Sequence, residues 1–206
     1  MEVLKKLVFA FAILNISLSA YSQDYEKEVK AFQKSYEYES KGDYAKAIAE
    51  IKNIYNQDSY EQNLRLGWLN YLLGNFNESI GFYQKAIKIM PYSEEAKFGI
   101  IYPYSALGKW DVIENYYKKI LETSPSNTIA LYKLGMIYYG RGNYSSAQKY
   151  FGKLVNLYPF SYDGLIMLAW TDFKLKKYRE AKVLFYKALM LKPNDKSARE
   201  GLSYIK

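Results

Sequence analysis

Any chemistry in this chain would have to rest on carboxylates or lysine amines, because its 206 residues include neither His nor Cys. Without His there is no imidazole base for a serine triad and no His-ligated zinc site. Without Cys there is no thiolate nucleophile, no thiolate metal site and no disulfide. The 21 Asp and Glu are scattered over helical patterns and form no set at metal-ligand spacing. The 29 Lys and Arg sit among other charges, so no lysine stands out as a buried, activated amine. No phosphate-binding loop or nucleophile elbow occurs. The expectation is a protein that is not an enzyme, with no cofactor and no metal. Its aromatic content is the conspicuous feature: 24 Tyr, 10 Phe and 3 Trp. Such side chains recognise partners by burying area.

The elements that position these rings are read from a repeat. Pro91, Pro125, Pro159 and Pro193 are each 34 residues apart. The aromatics Phe76, Trp110, Tyr144 and Tyr178 keep the same step, with Tyr44 before them. Gly42, Gly74, Gly108 and Gly142 stand two residues ahead of the first four aromatics, and Lys176 takes the fifth place. Tyr83, Tyr117, Phe151 and Phe185 follow the later aromatics by seven residues. Several ladders sharing one period mark a repeat architecture. Within one period, Leu66, Leu69, Leu73 and then Ile80, Tyr83 and Ile87 recur at three- and four-residue steps, the spacing of amphipathic helices. Gly74-Asn75 ends the first helix and Pro91 stops the second. The unit is a helix-turn-helix hairpin.

This unit resembles the tetratricopeptide repeat. The segment from Thr128 carries that pattern in Leu131, Leu134, Gly135, Tyr138, Gly142, Tyr144, Ala147, Phe151 and Pro159, departing at Leu154. The segment from Tyr162 carries Leu165, Leu168, Ala169, Tyr178, Ala181, Phe185, Ala188 and Pro193, departing at Asp172 and Lys176. The segment from Tyr60 keeps Leu66, Gly67, Gly74, Phe76, Tyr83, Ala86 and Pro91. Weaker copies start at Glu94, with Ile101 and Ile113 where small residues belong, and at Glu28, which lacks the closing Pro. The resemblance implies an all-α, right-handed α-solenoid of helix-turn-helix hairpins with a C-terminal cap helix. Its repeats would span 28–59, 60–93, 94–127, 128–161 and 162–195, the cap 196–206, and the whole would form one domain over 23–206. Small residues such as Gly135 and Ala147 would let paired helices approach, and stacked neighbours would complete the core.

In this family the concave face is built by the first helix of each repeat. That implies a partner-binding groove lined by Phe32, Tyr36, Leu64, Trp68, Tyr71, Phe98, Tyr102, Tyr132, Met136, Tyr139, Ile166, Trp170 and Phe173. Arg65, Lys133 and Lys174 would oppose Glu61, Glu95 and Asp163 there. Exposed apolar surface of this kind marks a partner site; the alternative is that the rings pack between neighbouring first helices. The carboxylate-clamp mode of the family needs Lys and Asn at groove positions that here hold apolar or aromatic residues. Pro103 falls within a first helix, removes the bond to the Gly99 carbonyl and is expected to bend that helix.

Residues 1–22 read as a signal peptide: Lys5 and Lys6, then the apolar Leu7–Ala20, with cleavage expected after Ser22 or after Ala20; an uncleaved N-terminal anchor is the alternative reading. This gives an expectation of export to the periplasm or outer surface of a Gram-negative bacterium, with a signal resembling those of the Bacteroidetes, and of no membrane span in the mature chain. The net charge of +8 admits anionic polymers or lipid headgroups as partners of basic outer helices. Against a nucleic-acid role, second helices run from acidic to basic, as in Asp111 and Glu114 before Lys118 and Lys119, an order that complements the helix dipole. The expected function is a protein-interaction scaffold with a protein or peptide partner and no nucleic acid. A self-assembling homo-oligomer is the alternative.

Overall fold

The structure, a computed structural model, describes residues 25–205, and every regular element among them is an α-helix. The signal-peptide stretch lies outside the described residues. The helices are α1 over residues 25–40, α2 Tyr44–Lys52, α3 Tyr60–Leu72, α4 Phe76–Ile89, α5 Glu94–Ala106, α6 Trp110–Thr123, α7 Thr128–Gly140, α8 Tyr144–Leu157, α9 Tyr162–Lys174, α10 Tyr178–Leu191 and α11 Lys196–Ser203. The helices α3, α5, α7 and α9 begin at Tyr60, Glu94, Thr128 and Tyr162, whereas α1 is already helical at residue 25, ahead of residue 28, and α11 ends at Ser203.

Those starts have a local cause. Ser59, Ser93, Asn127, Ser161 and Asp195 each stand just before a helix and accept a hydrogen bond from the backbone N–H three residues on. Each satisfies one of the orphan donors of its helix, which stabilises a helix start by about 1 kcal/mol. The turn inside each hairpin needs one left-handed residue. Gly74 supplies it with φ of 85°, and Lys176 is forced into the same region at φ of 61°. For Lys that conformation costs energy that glycine avoids.

The described chain divides into two compact units, one reaching Leu107 and the other beginning at Gly108. The division falls inside the repeat 94–127, whose small-residue positions carry Ile101 and Ile113. In the first unit α2 to α5 pack in chain order, and α3 also meets α5. Ala47, Ile48, Ile51, Leu66 and Leu69 are buried together, with Phe32, Tyr38 and Trp68 against them. The Tyr83 ring lies between two glycines: a Cβ on Gly67 would come within 2.9 Å of it and one on Gly99 within 2.2 Å. The small residue of the pattern therefore admits the ring of the second helix. The same holds in the second unit, where the space over Gly135 is taken by the Phe151 ring rather than by Ala147, the partner expected from the sequence. α5 runs unbroken across Pro103, which is buried.

In the second unit α6 to α11 pack in order. Leu165, Ala169, Ala181, Phe185 and Ala188 form the main core, and Ala198, Leu202 and Ile205 close it from the cap. A fully buried aromatic or aliphatic side chain such as Phe185 stabilises by about 1.5–3 kcal/mol. Glu114 joins α6 to α7: it accepts hydrogen bonds from Tyr138 at 2.5 Å and from Arg141, and pairs with Lys118 at 2.5 Å. Burial pushes its carboxyl up, but the bonds from Lys118, Tyr138 and Arg141 outweigh that and hold its pKa at about 2.

Candidate functional site

The first helices of the first unit bring half of the expected groove together. Phe32 and Tyr36 come from α1, Leu64, Arg65 and Trp68 from α3, and Phe98 and Tyr102 from α5; all line one cleft of about 1010 Å³. The four-residue steps 32/36, 64/68 and 98/102 place each pair on one face of its helix. Tyr60, Tyr83, Gly99 and the carboxylates Glu39, Glu61 and Glu95 complete the lining. Tyr71 stands beside it. Its ring is 5.6 Å from that of Trp68 and 5.4 Å from that of Tyr102, and Trp68 and Tyr102 meet edge to face at 5.8 Å. Tyr36 and Tyr102 keep about half of their surface exposed, at 56% and 50%.

Arg65, which the sequence reading sets against Glu61, Glu95 and Asp163, lines the cleft but is paired with Glu39. It is 6% exposed; its Nε donates to Ser35 Oγ at 3.1 Å and its Nη1 to Glu39. Glu39 also accepts from Trp68 Nε1 at 2.6 Å, so one carboxylate fixes both the cation and the indole. The Tyr36 ring lies on the guanidinium, 3.8 Å from centroid to Cζ. Nη2 is buried and has no hydrogen-bond partner among the described residues. Sequence reasoning missed Glu39, although it holds in the repeat from Glu28 the place that Tyr71, Tyr139 and Phe173 hold in theirs; that shared groove position was the available signal. Burial also raises the hydroxyl pKa of Tyr60 and Tyr83, so both stay neutral donors at physiological pH. Tyr60 bonds Ser93 Oγ at 2.7 Å and donates to Glu95 at 3.3 Å.

The remaining expected residues lie in the second unit. Tyr132 is half-buried, its ring edge to face with Phe151 at 5.9 Å, and Tyr139 packs on Tyr144 at 5.4 Å. Lys133, Met136 and Lys174 are exposed. Ile166 is buried in the core. Trp170 donates to Ser197 Oγ of the cap at 2.8 Å, and its ring stands 5.1 Å from Phe185 and 6.4 Å from Tyr204. Phe173 lies 6.0 Å from the same Tyr204 ring. These two side chains are thus engaged by the protein's own last helix. Among the described residues no helix is long and apolar enough to cross a membrane.

Helical hairpins with a buried ring over a glycine, stacked at a fixed period, define the α-solenoid class. The tetratricopeptide-repeat pattern matches residues 63–92 and 162–195 in one form and 129–161 in another, so these hairpins are tetratricopeptide repeats. A comparison with curated proteins gave no match. Among solved structures, the chain is similar to a tetratricopeptide repeat protein from Parabacteroides merdae, with TM-score 0.71 and 24% identity over 87% of this chain and 71% of that one. It is also similar to MamA from Desulfovibrio magneticus RS-1, with TM-score 0.66 and 17% identity over 82% of this chain and 97% of that one. A further MamA structure gives TM-score 0.67 and 20% identity over 80% and 91% of the two chains. At these identities the likeness speaks for the fold. The repeat class is generally a non-catalytic scaffold for protein interaction.

Proposed function

We propose that this protein is a non-enzymatic interaction scaffold of the bacterial cell envelope, and that the first-unit cleft takes a segment of a protein partner. The observation that carries this reading is the cleft itself. Seven rings line it (Phe32, Tyr36, Tyr60, Trp68, Tyr83, Phe98 and Tyr102), yet Tyr36 and Tyr102 leave half of their surface in water. Rigid aromatic anchors of this kind dominate interface energetics. The envelope setting rests on Lys5, Lys6 and the apolar stretch after them.

The test is capture of envelope proteins by covalent cross-linking to the purified protein. Tyr36→Ala combined with Tyr102→Ala removes two half-exposed rings, each worth about 1–3 kcal/mol to a bound segment, and should reduce capture at least about ten-fold. Helicity should stay that of the parent. Undiminished capture by a folded double variant would move the partner site away from the cleft.

A further inference from the structure

We propose that the first-unit cleft selects a basic, apolar stretch of polypeptide and rejects carboxylate-bearing ligands; this rests on the reading of the cleft as a partner site. Four charged side chains line it, and they do not balance. The Arg65 cation is taken up by Glu39. Glu61 and Glu95 remain, on the first turns of α3 and α5, and both are exposed. Their hydrogen-bond partners are neutral hydroxyls: Ser59 Oγ donates to Glu61 at 3.2 Å, and Tyr60 donates to Glu95. Neither carboxylate makes an ion pair among the described residues. A chain of net charge +8 therefore presents a net negative cleft.

The second observation is Arg65 Nη2, a donor on a side chain more than nine-tenths buried in the cleft wall, with no acceptor among the described residues. A buried donor without a partner is costly, so a ligand that supplies an acceptor gains. A carboxylate brought there would stand beside Glu39 and face Glu61 and Glu95, all of its own sign. A neutral main-chain carbonyl answers the donor without that repulsion. Nη2 is withdrawn from the surface, and the half-exposed Tyr36 ring lying on the guanidinium is the group that turns aside to admit the acceptor. Lysine or arginine side chains flanking that carbonyl reach Glu61 and Glu95 and the open faces of the rings, while apolar side chains fill the space between Trp68 and Phe98.

Two capped peptides of about twelve residues test this, one alternating lysine and leucine, the other glutamate and leucine, titrated into the purified protein at low salt. The lysine peptide should bind at least about ten-fold tighter. In Glu61→Gln combined with Glu95→Gln, both on exposed positions, that preference should shrink to about two-fold with the melting temperature unchanged. Leaving the lysine peptide's C-terminal carboxylate free should bring no gain. Equal affinity, a reversed order, a preference that survives the double substitution, or about ten-fold tighter binding of the free carboxylate each overturns the selectivity. If both peptides bind equally and Tyr36→Ala with Tyr102→Ala removes both, only the charge selectivity falls and the cleft stands as partner site. If neither binds, the cleft falls as a peptide site as well.

Discussion

Gly99→Ala should destabilise the protein, whereas the same substitution at Gly81 should stabilise it. Both residues are helical, one in α5 and the other in α4, so the backbone gain is shared. Replacing glycine by alanine within a helix contributes about 0.5–1 kcal/mol through lower chain entropy in the unfolded state. The sign is set by what the new methyl meets. At Gly81 nothing lies within 4 Å of the added Cβ. At Gly99 that Cβ would stand 2.2 Å from Tyr83 Cε1 and 2.6 Å from Cζ, distances at which the ring must move. Tyr83 is held on its other side by Gly67, so it has nowhere to go without parting α3 from α5. Overpacking of this kind costs about 1–3 kcal/mol, more than the entropy gain returns. Melting temperatures of the two variants should fall on opposite sides of the parent. If both rise, the ring is not clamped between those helices.

The second large effect is acid lability centred on Glu114. Its carboxyl is held at a pKa of about 2 against an ordinary value of 4.5, by hydrogen bonds from Lys118, Tyr138 and Arg141 working against burial. A depressed carboxylate contributes stability that is fully present above its unfolded pKa and is lost as pH falls through the folded one. The loss should therefore run from about pH 4.5 down to about pH 2 and amount to at most about 3 kcal/mol. Glu114→Gln should lower stability at pH 7 by about 1–3 kcal/mol and flatten that slope. Asp172 acts in the opposite direction: burial raises its pKa, so it gains stability on protonation, and it is retained in both proteins. Denaturant unfolding at pH 3 and pH 7 measures both effects. A variant whose stability still falls as steeply as the parent's between those values would place the acid-sensitive group elsewhere.

What could be read from the chain and what could not divides by range. The proline, glycine and aromatic ladders set the helix starts at Tyr60, Glu94, Thr128 and Tyr162, because caps and turns are decided by neighbours in sequence. A further ladder, Ser59, Ser93, Asn127, Ser161 and Asp195, was present at the same period and would have fixed those starts by mechanism. The groove residues of the first unit were legible as one helix face. Their electrostatics were not. Glu39 and Arg65 are 26 residues apart and belong to different repeats, so nothing local announces that they pair. The engagement of Trp170 and Phe173 by Tyr204 was hidden for the same reason: the cap helix is short, and its ring finds the last repeat only after folding. Lys176 was visible as a missing glycine, and its left-handed backbone shows that the turn prevails over the residue type.

In the proposal made here, partner binding belongs to the face made by α1, α3 and α5. Backbone amide chemical shifts of the isotope-labelled protein, followed while the lysine–leucine peptide is added, test it most directly. The largest changes should gather at Tyr36, Glu39, Arg65, Trp68, Glu95 and Tyr102, with the indole N–H of Trp68 moving and that of Trp170 still. Shifts that gather instead around the turn between α8 and α9, where Tyr158 and Phe160 are exposed, would contradict it.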